Sequence, residues 1–172
     1  MAILPIRSIG DPILRRKTRR VRVFDQSLRR LVNDMVETMR DANGVGLAAN
    51  QVGVPLRLCV IEIPEHESVI TLVNPEIIRR EGIRELEEGC LSITGYRGSV
   101  VRSTKVRVRA SDIAGNPVRI KGDGNLLAQA LEHEIDHLNG VLYTERLVSP
   151  ESIWKLTDGT VDADVETESI PR

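Results

Sequence analysis

The stretch "ALEHEIDHLNG", Ala130 to Gly140, puts two of the chain's three histidines four residues apart, with a glutamate directly after the first. Residues four apart on an α-helix lie one turn apart on one face, so His133 and His137 can aim imidazole nitrogens at one ion. In this pattern Glu134 is usually not a ligand but a general base for the attacking water. The same letters also read as a charged, solvated helix face. Against that, Leu127, Ala130, Leu131, Ile135 and Leu138 cover much of the helix circumference and predict burial, and buried His and Glu need partners. A metal site needs at least one ligand more than the two histidines.

Working outward, the helix is expected from Leu126 to Asn139, with Asp123 or Asn125 as N-cap and Gly140 as the glycine past its end. Upstream, "RLCVIEI" (57–63) and "SVITLVNPEII" (68–78) are rich in β-branched residues, while "KVRVRA" (105–110) and "PVRI" (117–120) alternate apolar with charged, the period of half-exposed strands. From Gln26 to Met39, the residues Leu28, Leu31, Val32, Met35, Val36 and Met39 recur at three- and four-residue steps, the stripe of an amphipathic helix. "DANGVG" (41–46) stops it. The expected class is α+β, a mostly antiparallel sheet around a buried metal-binding helix, with an amphipathic helix near the N-terminus.

At 172 residues and 41% hydrophobic, the chain can bury one sizeable core, so residues 1–150 are read as a single catalytic domain. Residues 151–172 hold six acids against two bases and little to bury, so this tail is expected to be frayed. No apolar run approaches the roughly 20 residues of a membrane span, and the first residues lack the order of a signal peptide. A soluble cytoplasmic protein without a membrane partner is expected. Cys59 and Cys90 are too few for a disulfide framework. The net charge of −1 argues against bulk nucleic-acid binding. Residues 1–40 are basic, with ten Lys/Arg against four Asp/Glu, but "RRKTRRVR" (15–22) has no interleaved aromatic and reads as a solvated face with no specific nucleic-acid partner.

The third ligand can be sought in several places. A third histidine six residues after the second is excluded, because Tyr143 stands there and no histidine follows His137. A downstream glutamate would have to be Glu145, Glu151 or Glu166, none in a convincing second helix. Upstream, "EEGCLS" (87–92) sets Cys90 in a glycine-containing turn between strand-like segments, where it could be filler or ligand. Cys59, inside an apolar run, reads as packing. "GVGLAANQ" (44–51) lacks the Lys and Ser/Thr of a phosphate-binding loop.

Taken together, "GVGLAANQ", "EGCLS" and "HEIDH", in that order and at these separations, closely resemble the three signature motifs of the peptide deformylases. The resemblance runs to about Pro150 and includes "GDPILRR" (10–16) and "VNP" (73–75). It implies hydrolysis of the formyl group from the N-terminal formyl-methionine of new polypeptides, releasing formate. It implies Cys90 as third ligand beside His133 and His137, one divalent ion, Fe(II) first with Zn(II), Ni(II) or Co(II) also able to occupy the site, and Glu134 as base. Oxyanion donors would be the side-chain amide of Gln51 and the backbone N–H of Leu91. Gly44, Val45, Gly46, Glu88, Gly89 and Arg97 are expected to bind an extended substrate. Formyl-methionyl nascent peptides, met in transient contact with the ribosome, are the implied partners. Asp136 could orient a ligand or face solvent; Arg97 and Arg102 could anchor substrate carbonyls, pair with Glu88, or form a charged strand edge. Three departures from the family pattern, Asn43, Thr94 and Glu132, bear on substrate preference and loop rigidity.

Two other classes remain open at this point. A glutamate-completed peptidase would use Glu145 or Glu151 in place of Cys90, and a metal-stabilised binding module would fill all four coordination positions with protein. Glu134 speaks against the module, since a structural site has no use for a base.

Overall fold

The computed structural model describes residues 2–157. Its last long helix, α2, spans Leu126–Leu138. Asn125 caps it by accepting the Ala128 N–H at 3.1 Å, and Gly140 follows it at φ +78°, a left-handed conformation that glycine adopts without penalty. Every residue from Ala130 to Leu138 is buried, although five of these nine are His, Glu or Asp.

What buries α2 is a five-stranded antiparallel sheet of order β1-β2-β3-β6-β7, built from β1 (Gly46–Ala48), β2 (Leu58–Ile61), β3 (Ile70–Glu81), β6 (Lys105–Ser111) and β7 (Pro117–Asp123). A second antiparallel sheet of order β4-β5-β8 comprises β4 (Arg84–Cys90), β5 (Ile93–Arg102) and β8 (Ile153–Lys155). The first helix, α1 (Gln26–Asp41), is capped by Asp25, whose carboxylate accepts the Leu28 N–H at 3.0 Å. The two helices cover opposite faces of β2. Cys59 and Ile61 pack with Leu131, Ile135 and Leu138 of α2, whereas Leu58 and Val60 pack with Val32, Met35 and Met39 of α1. A strand buried on both faces reads as a continuous apolar run rather than an alternation, which accounts for "LCVI" and for Cys59 as a packing residue.

A third cluster, Leu14, Ile93, Val100, Leu142 and Tyr143, closes the smaller sheet. β8 lies in the stretch read from sequence as a frayed tail. Its residues Ile153, Trp154 and Lys155 pair with Gly98, Arg97 and Tyr96 of β5, and Ile153 packs against the third cluster. Three residues carry no detectable period, so an open strand edge decides their conformation. The rest of the acidic tail, from residue 158 and including Glu166, lies outside the described residues.

Candidate metal centre

Two elements deliver the donors. His133 and His137 descend from α2, and Cys90 comes from the end of β4, where the β4–β5 register shifts between Glu88 and Cys90. The shift falls at Gly89 and turns Cys90 toward the helix. Cys90 Sγ lies 3.2 Å from His137 Nε2, and His137 Nε2 lies 3.2 Å from His133 Nε2. These are separations expected of donors about 2.0–2.3 Å from one shared tetrahedral ion. Among the described residues, Cys90, His133 and His137 are the group whose ligand atoms converge, all within 4.8 Å of one another. Glu145 instead accepts the Leu142 N–H at 3.0 Å and pairs with Arg15, and Glu151 is exposed.

Proton bookkeeping supports a cation at that point. Glu88 Oε2 lies 2.9 Å from His133 Nδ1, while Arg102 donates to both Glu88 oxygens at 2.8 Å. Burial alone would raise the Glu88 carboxyl, but the Arg102 and His133 hydrogen bonds outweigh it and hold it at about 2. An ionised carboxylate can only accept, so in the neutral form that binds a metal His133 would carry its proton on Nδ1 and present a bare lone pair at Nε2. His137 Nε2 faces that lone pair and the sulfur together, and a single N–H can serve only one of them. A divalent ion satisfies all three donors, so the residues present fit one. Arg102 also donates to Asp136 at 2.6 Å, and Asp136 accepts two further bonds from Arg146. Of the open sequence readings, Arg102 pairs with Glu88 and Asp136 is a buried partner, not a surface residue.

Glu134 stands beside the donors, buried, with Oε2 lacking any hydrogen-bond partner. Burial pushes its carboxyl up to about 7. Gln51, in the 3-10 turn Ala49–Val52, is oriented by its own carbonyl oxygen, which accepts the Ala48 N–H at 2.9 Å. Its amide nitrogen therefore faces the centre, 3.1 Å from Ser92 Oγ and 3.6 Å from Cys90 Sγ. A groove of about 470 Å³ opens from these residues, lined on one side by Gly44, Val45 and Gly46 and on the other by Gly89, Leu91 and Arg97.

The two glycines of "GVG" have a use that sequence did not reveal. A Cβ on Gly44 would come within 2.6 Å of Leu91 Cδ1, and one on Gly46 would collide with the Glu134 carboxylate. Their bareness makes room for the side chains of Leu91 and Glu134. Glu88, expected among the substrate-binding residues, lines the groove, with its carboxylate bonded to His133 and Arg102. The Arg102 guanidinium, 14 residues on, is brought opposite it by the β4–β5 hairpin. Glu132 is likewise structural: it accepts from Arg80 Nε, Ser103 N and Ser103 Oγ at 2.9, 2.7 and 3.0 Å. Asn43 and Thr94 line the groove. Sequence reading missed Asn50, whose amide holds the His137 carbonyl at 2.7 Å; Ser92, against Gln51; and Tyr143, whose ring stacks on His133 with centroids 6.4 Å apart. Asn50 and Ser92 sit inside quoted motifs and could have been found there. Tyr143 carries no signal.

The comparisons with known proteins agree with this geometry. A family model described as polypeptide deformylase matches residues 3–152. The peptide deformylase of Halothermothrix orenii is 49% identical over 148 residues, covering 86% of this chain and 96% of that protein. That of Dehalococcoides mccartyi is 46% identical over 156 residues, covering 91% and 93%. The crystal structure of a peptide deformylase from Legionella pneumophila superposes with a TM-score of 0.83 at 51% identity, covering 87% of this chain and 88% of that one. One from Synechococcus elongatus, in complex with actinonin, gives 0.82 at 40% identity, covering 87% and 81%. With a family model spanning most of its length and relatives near half identity, this chain belongs to the peptide deformylase family.

Proposed function

We propose that, in removing the formyl group from the N-terminal formyl-methionine of new polypeptides, the chain holds one divalent ion with Cys90, His133 and His137 and uses Glu134 as its base. The observation that carries this reading is the buried Glu134 carboxylate with an unpartnered oxygen beside three converging donors. A buried carboxylate without a hydrogen bond is costly, so its place is best explained by a water and a substrate that pass through. When bound, the ion supplies Lewis acidity, lowering the pKa of a water and polarising the formyl carbonyl. We take Fe(II) as the resident ion, with Zn(II), Ni(II) and Co(II) suited to the same one-thiolate, two-imidazole set.

Glu134 takes the water's proton as oxygen attacks the formyl carbon, and returns it to the leaving amine, so the products are formate and a free N-terminus. The Gln51 amide N–H, fixed by its bond with Ala48, and the backbone N–H of Leu91 receive charge developing on the carbonyl oxygen. Gly44, Val45 and Gly46 lie in or beside the edge strand β1, which pairs only with β2. An extended substrate can add along the free edge, with Gly89 and Arg97 across the groove. Glu88 acts through His133, fixing its tautomer by the bond to Nδ1. Operation in the cytoplasm, in transient contact with the translating ribosome, goes with a substrate that exists only where polypeptides are made. No helix of the described residues is long and apolar enough to cross a membrane.

The test is release of formate from a formyl-Met peptide by protein purified without oxygen and loaded with Fe(II) or Ni(II). Turnover by the wild type with a fall of roughly 10²–10⁴ in Glu134→Gln, at equal metal content, is the expected result. Near-normal release by folded, metal-loaded Glu134→Gln would remove Glu134 from the mechanism.

A further inference from the structure

The outer rim of the groove is built by the last described residues of the chain. Between the cross-strand pairs Cys90–Ile93 and Glu88–Gly98, one residue of β4 stands opposite four of β5. The extra residues, Thr94 to Arg97, therefore bulge away from β4 within β5, and all four line the groove. Gly95, within this bulge, has φ +79° and is tied from outside: its carbonyl accepts the Leu156 N–H at 2.8 Å. β8 pairs with the same bulge at Tyr96 and Arg97. Leu156 thus sits at the rim and lines the groove while remaining 48% exposed. Nothing in the core accounts for a large apolar side chain held there by a strand and a backbone hydrogen bond. Tyr96 and Val45, at 42% and 37% exposure, also line the groove, so its open part offers apolar contact to whatever lies in it.

A formylated peptide extends from the reacting carbon in one direction only, because the formyl group caps its N-terminus. The inner end of the groove, at Gln51, Cys90, His133 and Glu134, receives the formyl group. A side chain at the outer rim can then meet only residues beyond the methionine. Resting on the deformylase reading, we propose that Leu156, presented by β8 and the Thr94–Arg97 bulge, is a specificity residue that favours apolar side chains in the first residues after formyl-methionine.

The experiment uses four tripeptide amides, formyl-Met followed by Leu or Gly at each of the next two positions, and measures kcat/KM for each with the full-length metal-loaded enzyme. In Leu156→Ser the Leu/Gly preference at one or both positions should fall about fivefold, the order expected when a part-buried aliphatic contact is lost. The change should sit in KM, as for a contact equal in ground and transition states. Leu156→Met, which keeps apolar volume, should restore the preference. An unaltered Leu/Gly ratio in Leu156→Ser would overturn the proposal, as would an equal loss across all four peptides, which would mean that Leu156 only braces the bulge. If Leu156→Ser melts early, Leu156→Ala against Leu156→Met reads the same ratio. A wild type that releases formate from none of the four peptides would instead refute the deformylase reading beneath it.

Discussion

The two long helices of this protein are built by opposite rules. In α1 the buried residues are Leu28, Val32, Met35, Thr38 and Met39, while Arg29, Arg30 and Arg40 are exposed. In α2 the order is inverted: Glu132, His133, Glu134, Asp136 and His137 are all buried. A buried charge is tolerated only with a partner, and α2 finds one for nearly every group. Glu132 has Arg80 and Ser103, Asp136 has Arg102 and Arg146, and His133 has Glu88. The buried side-chain atoms of α2 left without a hydrogen-bond partner are Glu134 Oε2 and His137 Nδ1, and Glu134 lines the groove. No charged residue of α1 is buried; the charged residues and histidines of α2 all are, and the absence of a partner sets Glu134 apart from those that brace.

The largest effects should come from the unpartnered Glu134 of α2 and from the sulfur that meets His137. Besides the loss of turnover in Glu134→Gln, Cys90→Ser should lose most of its Fe(II) or Zn(II), because a hydroxyl rarely ionises where a thiol does. Glu151→Ala should keep its metal. Metal analysis of both variants side by side, reduced and without oxygen, checks this. Full occupancy in Cys90→Ser with loss in Glu151→Ala would place the third ligand elsewhere.

Next come the braces. Arg102 has a side chain only 2% exposed and pairs with Glu88 and Asp136, so Arg102→Leu leaves the buried Glu88 carboxylate with only its bond to His133. Stability should fall by about 3–5 kcal/mol, a drop in melting temperature on the order of 10 °C for a domain of this size. Asp136 keeps Arg146, so the loss should exceed that of Arg146→Leu. Equal, small losses in the two variants would mean that burial had been misjudged as dependence.

A smaller effect is expected at Gly46, outside α2 but against its base. In Gly46→Ala the added methyl meets the Glu134 carboxylate, the far end of a side chain that can move. Turnover should drop by about 10²-fold, as displacements near 1 Å at a reacting group can produce, with metal content and melting temperature little changed. A variant that loses metal in proportion to activity would show that the methyl disturbs the whole centre.

Sequence carried much of this contrast, and where it fell short has a physical cause. The apolar stripe of α1 and the two-histidine spacing of α2 are local patterns, and both helices lie where those patterns put them. The two-sided burial of β2 was visible as an unbroken apolar run. Cys90 needed the family resemblance, since a cysteine beside glycine has no local mark of a ligand. Whether Arg102 met Glu88 or a substrate could not be read, because only the β4–β5 hairpin sets them opposite each other. Tyr143 on His133 is a contact across a turn, and Leu156 on the groove one across a long chain separation, and no periodicity announces either. β8 was hidden for the same reason: an open edge on β5, not its own composition, makes it a strand.

The smallest effect should be on α1, where the same kind of residue does none of this work. Arg30 is exposed and forms no ion pair among the described residues. Arg30→Ala removes a solvated charge and substitutes the best helix former, so the helix gains as much from propensity as it loses from side-chain packing. Stability should change by no more than about 0.5 kcal/mol, and formate release from a short peptide should stay the same. Denaturant midpoints for Arg30→Ala and Arg102→Leu, measured together, put an exposed arginine of α1 and the buried arginine that braces α2 on a single scale. A shift at Arg30 approaching that at Arg102 would erase the distinction between the two helices and point to a role for the basic face that its solvated side chains do not reveal.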